Sequence, residues 1–166
     1  MRIHLIGPKG AKIRLTHNEI VGQDGELDTH YLFPMPWAVK CSAEYDEVLL
    51  SGEPCWFQPW FTIHGFRYVE IDGLEYELKL NDAQAIVLSS DLSPVGIFEC
   101  SDERLNQFHR NVFWSLRSNF IDTATDCPTR ERSEWTGDIQ VFSPTAATYV
   151  DSQAYLRRYL RNLALE

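Results

Sequence analysis

A chain of 166 residues has room for one medium domain, or for a small domain and the beginning of a second. Its 44% hydrophobic and 23% charged residues are ordinary for a globular protein, and no apolar run reaches the roughly 18 residues of a membrane span. The net charge of −9 leaves no basic stripe to match a phosphate backbone. We therefore expect neither nucleic acid nor a membrane as a partner.

The first seven residues contain a short apolar stretch without a long hydrophobic segment or a small-residue cleavage site, so no secretory signal is predicted. They are predicted to form a strand already under way, which indicates that the chain begins inside a larger protein. If Met1 is the native start, a cytoplasmic location is expected. The cysteine spacing fits neither a zinc pair nor a disulfide scaffold, so free buried thiols are predicted at Cys41, Cys55, Cys100 and Cys127.

The first 95 or so residues predict β structure, because short runs rich in Val, Ile, Tyr and Phe are broken by turn residues. Residues 22–36 predict a long loop or an irregular edge, and His64-Gly65 predicts a tight turn. Short strands at this regular spacing favour an antiparallel β-sandwich. The strands after the first are predicted at residues 12–16, 47–50, 55–63, 66–71, 85–89 and 95–100.

An aromatic run follows Cys55. Trp56 and Trp60 alternate with Phe57 and Phe61, so one set is expected to face inward. Sandwich core is the favoured interpretation, and a sugar-binding platform is the alternative.

The pattern changes to helical spacing after residue 101. Asp102 is predicted to cap a connector helix that starts at Glu103 and carries His109. Residues 123–138 predict an ordered loop. Asp138 is predicted to cap the next helix, in which Pro144 marks a first-turn position or a kink. A further helix is predicted from about residue 152 to the end of the chain, with Tyr155, Leu156, Tyr159, Leu160 and Leu163 on its apolar face.

That last apolar face has no evident partner in the sequence. Further chain, or a homo-oligomer that covers the exposed helical face, is expected to bury it. The predicted domains are a β-sandwich at residues 1–100, a linker helix at 101–120 and the start of a helical domain at 121–166.

The segment from Asp126 to Asp138 is the richest in chemistry, with four carboxylates, two arginines and a Trp in thirteen residues. A solvated surface loop is the simpler interpretation. The functional interpretation is cleavage of a glycosidic bond, because that reaction needs a carboxyl group that protonates the leaving oxygen. If Glu131 converges with the two aspartates, repulsion raises one pKa, and Arg130 and Arg132 oppose that shift. The sequence does not decide which of these two opposing influences on the pKa is larger.

The run D-C-P-T-R-E-R-S-E-W-T-G-D, followed by I-Q-V-F-S-P-T-A, resembles the signature of α-L-rhamnosidases of glycoside hydrolase family 78. It is one residue shorter before Trp135 than the common form. H-G-F-R-Y-V-E-I at residues 64–71 resembles a strand of the same family. Residues 90–111 resemble its sandwich exit and linker helix, so the resemblance covers residues 55 to 160.

The resemblance implies an inverting hydrolase that removes terminal α-L-rhamnose from oligosaccharides or glycosides. It implies that Glu131 is the general acid and that the rhamnose ring is held by Asp126, Arg130, Trp135 and Asp138. The implied fold is a β-sandwich joined by a helix to an (α/α)6 barrel, here incomplete.

Inversion needs a second carboxylate roughly 6.5–9.5 Å from the first. No residue after Asp138 matches the family's general base, so these 166 residues are expected to be inactive alone. A non-catalytic carbohydrate-binding or structural module, or a degenerate gene product, is the alternative. No cofactor motif is present, and no acidic loop has calcium-ligand spacing. Glu134 is expected to be a solvated neighbour of the site, and Cys127 to serve packing.

Overall fold

The computed structural model describes residues 1–32 and 44–165. The chain divides into two compact units between Val87 and Leu88. Cys41 and the end of the predicted loop at residues 22–36 lie outside the described residues. Within the described part, that loop ends in a short 3-10 helix, His30–Leu32.

The first unit consists of two three-stranded sheets in which all neighbours are antiparallel. The strands are β1 Arg2–Leu5, β2 Lys12–Asn18, β3 Tyr45–Leu49, β4 Cys55–Phe57, β5 Tyr68–Asp72 and β6 Ala83–Gln84. The strand orders in the two sheets are β4-β1-β6 and β3-β2-β5. A 3-10 helix, Leu80–Asp82, precedes β6.

The two sheets share one hydrophobic core. In β2, Ile13 and Leu15 are buried, whereas Lys12 and Arg14, which alternate with them, face solvent, as a period of two requires. Ile3 and Leu5 of β1 enter the same core. Burial of each such side chain contributes roughly 1.5–3 kcal/mol. The predicted antiparallel sandwich followed by helices is confirmed.

Two predicted strands, at residues 85–89 and 95–100, are wrong. Neither segment belongs to a ladder among the described residues. The Val95 amide donates to the Tyr149 carbonyl at the end of a helix, at 3.1 Å, and Ser90, directly after the first segment, donates its amide to the Phe120 carbonyl at 2.8 Å. Hydrophobic runs of this kind do not identify the hydrogen-bond partner of the backbone.

The prediction of an aromatic core around Trp60 and Phe61 is also wrong. The strand β4 ends at Phe57, which packs against the core, while Trp56 points outward. Beyond it Trp60 is 81% exposed, and Phe61 is fully exposed at a φ of 61°. Alternation between faces holds only where the strand continues.

The second unit contains three helices, namely α1 Glu103–Asn119, α2 Thr136–Tyr149 and α3 Gln153–Leu163. The predicted cap of α1 is confirmed, since the Arg104 amide donates to Asp102 Oδ1 at 3.0 Å. Asp138 as a cap is wrong, because α2 begins two residues earlier and Asp138 lies in its first turn. Pro144 lies in the interior of α2, so the first-turn alternative for it is wrong as well.

The helices share a second core, in which the rings of Phe120 and Tyr155 stack with centroids 4.6 Å apart. Part of the predicted apolar faces stays open: Phe108 on α1 and Leu160 on α3 are more than half exposed. Among the described residues, no helix is long and apolar enough to span a bilayer. The buried members of this core are Leu116, Phe120, Ala124, Ala146, Val150, Tyr155 and Tyr159.

The three cysteines in the described ranges, Cys55, Cys100 and Cys127, are free and half-buried. The prediction of free thiols is therefore confirmed for these three, although none of them is completely buried.

Candidate functional site

The acid-rich loop joins α1 to α2 and is closed by its own backbone. The Thr125 amide donates to the Asn119 carbonyl at the end of α1, at 3.1 Å. Asp126 and Ser133 then bind each other twice: the Asp126 amide donates to the Ser133 carbonyl, and the Ser133 amide donates to Asp126 Oδ1, both at 3.1 Å. These bonds hold residues 126–133 in a turn whose ends are fixed.

Glu131 lies inside this turn with both carboxylate oxygens engaged. Oε1 accepts a hydrogen bond from Arg130 Nη2 at 2.7 Å, and Oε2 accepts one from the indole Nε1 of Trp135 at 2.8 Å. The Glu131 amide donates to the Sγ of Cys127 at 3.1 Å. The next residue, Arg132, has a φ of 52°, which is unusual for a side chain other than glycine. The carboxylate is therefore aimed by its neighbours on both sides.

A cavity of about 540 Å³ opens beside the loop. Asp126, Trp135 and Asp138 contribute its polar and aromatic wall, while Phe120 and Phe142 are among the apolar side chains opposite. The volume falls within the roughly 300–1,000 Å³ typical of small-molecule sites, and the mixture of apolar surface with a few acids is also typical. The hollow can admit a single sugar ring.

The five predicted site residues thus form two overlapping groups. Glu131, Arg130 and Trp135 are joined by hydrogen bonds. Asp126, Trp135 and Asp138 line the cavity, whereas Arg130 and Glu131 are not part of its wall. Trp135 belongs to both groups, so the indole connects the predicted acid to the hollow. In the described part of the chain, no direct hydrogen bond joins Glu131 to either aspartate.

Residues next to the site serve its structure. Thr129 is buried within the loop, and the Glu134 carbonyl accepts a hydrogen bond from Tyr159 Oη at 3.3 Å. These two contacts anchor the loop, which is therefore not freely solvated.

Away from the loop, His109 on α1 stacks between Phe98 and Tyr149, with centroid distances of 5.1 and 4.5 Å.

Sequence analysis missed one cluster, in the first unit. His64 was assigned to a turn, but its ring lies between the carboxylates of Glu44 and Asp46 and stacks on His17. Burial alone would lower the pKa of His64, yet hydrogen bonds to Asp46 and Glu44 outweigh it and raise the pKa to about 9. Burial, with the nearby His64 charge, lowers the pKa of His17 to about 4. The sequence feature that could have indicated this cluster is His17, a histidine in the inward-facing row of β2.

Comparison with known families gives two matches that together span nearly the whole chain. Residues 1–89 match the bacterial alpha-L-rhamnosidase concanavalin-like domain. Residues 93–166 match the bacterial alpha-L-rhamnosidase 6 hairpin glycosidase domain. The first match covers the strands and the second covers the helices and the acid-rich loop.

Individual relatives agree with these matches. The chain is 35% identical over 165 residues to an alpha-L-rhamnosidase of Streptomyces avermitilis and 39% identical over 157 residues to one of Formosa agariphila. These alignments cover 98% and 93% of the chain but only 15% and 16% of the relatives.

Solved structures give the same result. The native enzyme of Aspergillus terreus superposes with a TM-score of 0.82 at 42% identity, covering 96% of this chain and 18% of that one. The Streptomyces avermitilis enzyme complexed with L-rhamnose superposes with a TM-score of 0.84 at 35% identity, covering 98% of this chain and 15% of that one. The chain therefore spans less than a fifth of the length of the solved relatives it matches.

Proposed function

Because this chain belongs to the bacterial α-L-rhamnosidases, we propose that it supplies the proton-donor part of a glycoside hydrolase. The substrates are oligosaccharides or glycosides that end in α-L-rhamnose. One observation carries the proposal: Glu131 is held by Arg130 and Trp135 beside a sugar-sized cavity with two aspartates in its wall. The Streptomyces avermitilis relative was crystallised with L-rhamnose, which supports this choice of sugar.

Glu131 acts as the general acid in this proposal. Its carboxyl proton passes to the glycosidic oxygen while the bond from that oxygen to the anomeric carbon breaks. Both carboxylate oxygens are occupied by donors, so the glycosidic oxygen replaces one of them. In this proposal the guanidinium of Arg130 is the donor displaced, and it then binds a sugar hydroxyl.

The other cavity residues hold the ring. Carboxylates of Asp126 and Asp138 accept hydrogen bonds from vicinal hydroxyls, and the indole of Trp135 packs on the apolar face of the pyranose. Water attacks the anomeric carbon from the opposite face and loses its proton to a second carboxylate, which gives inversion. Among these 166 residues, none is assigned that second role, so we propose that they do not hydrolyse rhamnosides by themselves.

The domain organisation proposed from the sequence accompanies this function. We propose that the sandwich domain covers residues 1–100, the linker helix 101–120 and the start of the (α/α)6 catalytic domain 121–166. The match of residues 93–166 to the 6 hairpin glycosidase domain supports a helical catalytic domain, and it also includes α1, the proposed linker helix.

The decisive experiment compares two neighbouring glutamates in a full-length rhamnosidase that carries this segment. Glu131→Gln removes the transferable proton and keeps the side-chain shape, so kcat is expected to fall by about 10²–10⁴-fold on rhamnosides with poor leaving groups. The loss should shrink for leaving groups that need no protonation. L-Rhamnose binding, measured by calorimetry, should change little.

Glu134→Gln is the matched control, since it neutralises an acid in the same loop outside the cavity wall. Its kcat is expected to stay within a few-fold of the parent. Equal turnover by Glu131→Gln and the parent would exclude Glu131 as the acid. Release of rhamnose by the isolated 166-residue chain would refute the proposal that these residues lack the second carboxylate.

A further inference from the structure

The inward-facing row of β2 ends in a histidine. Ile13, Leu15 and His17 share one face of the strand, and His17 is as fully buried as its two apolar neighbours. Within the described residues, neither ring nitrogen of His17 makes a hydrogen bond, although the Glu44 carbonyl lies close enough to favour a proton weakly. A buried polar group without a hydrogen bond destabilises the fold, so its presence here calls for an explanation.

Neighbouring strands place two acids on the same inner face. Asp46 of β3 pairs directly with Leu15, so the two side chains point to the same side. Glu44 lies two residues earlier, and its carbonyl accepts a hydrogen bond from the His17 amide at 2.7 Å. His64 comes from the segment before β5, and its side chain is only 6% exposed. Four ionisable groups from three parts of the chain therefore meet at one end of the core.

Their geometry is close to that of a ligand set. The rings of His17 and His64 stack with centroids 4.2 Å apart. His64 Nε2 lies 3.2 Å from a carboxylate oxygen of Asp46. One candidate ligand atom from each of His17, Asp46 and His64 lies within 4.8 Å of the other two. Ligand atoms around a tetrahedral zinc with bonds of about 2.0–2.1 Å are about 3.3 Å apart, so modest side-chain rotation closes the set.

We propose that His17, Asp46 and His64 bind a divalent transition-metal ion, with zinc preferred, in the core of the first unit. Two imidazoles and a carboxylate suit zinc, and they disfavour calcium and magnesium, which prefer oxygen ligands. The ion gives a partner to a His17 ring nitrogen, neither of which has a hydrogen bond within the described residues. Its two positive charges also offset the negative charges of Asp46 and Glu44.

Glu44 is the positioning residue of this site. Its Oε2 lies 2.6 Å from His64 Nδ1, so it accepts a hydrogen bond that places the proton on Nδ1 and directs the Nε2 lone pair toward the ion. Carboxylate–histidine–zinc arrangements of this kind are common around zinc. When the ion is bound, Asp46 coordinates it instead of accepting a hydrogen bond from His64.

The test is a zinc titration of the purified full chain against a chromophoric chelator, repeated with Co²⁺ so that visible absorption reports nitrogen coordination. We expect one equivalent to bind. Asp46→Asn and His64→Gln are expected to weaken binding by about 100-fold or more, and Glu44→Gln by about 10–100-fold. His30→Asn is the control, because His30 is exposed and contacts a single carboxylate, that of Asp28. It should bind zinc as the parent does.

Three results would overturn the proposal. They are no stoichiometric zinc binding by the parent chain, unchanged binding in both ligand variants, and an equal loss in His30→Asn. The cobalt spectrum of the parent needs no variant to fold, so its absence also counts against the site. Any of these would leave a proton-bridged cluster of His64 with its two carboxylates. None involves hydrolysis, so the outcome is independent of the function proposed above.

Discussion

The two charged clusters of the chain contain similar residue types but differ in access. In the first unit the side chains of Glu44 and His64 are 2% and 6% exposed, and they contact each other. In the second unit Glu131 and Arg130 are 37% and 41% exposed, beside an open cavity. A buried cluster can admit a proton or a bare ion, whereas an open one can admit a ring with several hydroxyls. Access therefore decides which chemistry each can perform.

The apolar side chains repeat this contrast. The core of the sandwich encloses Ile13 and Leu15 completely. The helices bury the apolar side chains that face their shared core, but the side chains of Val141, Leu160 and Leu163 stay exposed. Leu160 and Leu163 line a groove between α2 and α3. Buried apolar side chains stabilise the unit that contains them, whereas exposed apolar side chains can pack against another protein surface.

The largest effect should distinguish the closed core from the open face. Leu15→Ala leaves a cavity between fixed neighbours and is expected to lower the free energy of unfolding by about 2–5 kcal/mol. Leu160→Ala, at an exposed position, should change it by no more than about 0.5 kcal/mol. Urea titration followed by circular dichroism measures both.

The contrast between the buried core and the exposed helical face would be wrong if Leu160→Ala destabilised the chain as strongly as Leu15→Ala. That result would show that a second copy covers the face in solution. Repeating the titration at a tenfold lower protein concentration would then shift the midpoint of the parent but not that of the variant.

A smaller effect should separate the two roles of Trp135. Trp135→Phe keeps an aromatic face on the cavity but removes the donor to Glu131 Oε2. In a full-length enzyme kcat is expected to fall about tenfold, which corresponds to about 1.4 kcal/mol, with little change in KM. Steady-state kinetics measures the split.

Trp114→Phe is the matched control, because Trp114 is another half-exposed indole that lies on α1 outside the cavity wall. Equal losses in the two variants would mean that the indole of Trp135 matters only for packing.

The smallest effect concerns two tyrosines of α3. Tyr159 Oη donates to the Glu134 carbonyl, so Tyr159→Phe should cost about 0.5–1.5 kcal/mol. Burial raises the pKa of Tyr155, whose hydroxyl is buried without a hydrogen-bond partner in the described part of the chain. Tyr155→Phe should therefore be neutral or slightly stabilising in thermal unfolding. A larger loss for Tyr155→Phe than for Tyr159→Phe would contradict the assignment of partners.

The elements that could be predicted from the sequence are those with a clear period. The alternation of β2 and the helical spacing of α1 and α3 led to segments within a few residues of those observed. Short strands such as β4 and β6 depend on a partner distant in sequence. The same holds for Val95, whose amide donates to Tyr149. No local pattern reports such a partner.

The candidate site shows the same division. Residues 126–138 are contiguous, so their composition identified the loop, and Glu131, Arg130 and Trp135 do meet there. Which acids line the cavity depends on how the loop closes on Ser133, which composition does not report. The cluster around His64 was missed because its members are 18 to 47 residues away along the chain.

The left-handed backbone of Arg132 has a consequence for the energetics of binding. A side chain at positive φ costs roughly 1–2 kcal/mol, and the turn is kept because the bonds around it compensate. That cost is met during folding, so Glu131 is already aimed before any sugar arrives. In the function proposed above, sugar binding then loses little affinity to ordering the loop, because the proposed proton donor is already positioned.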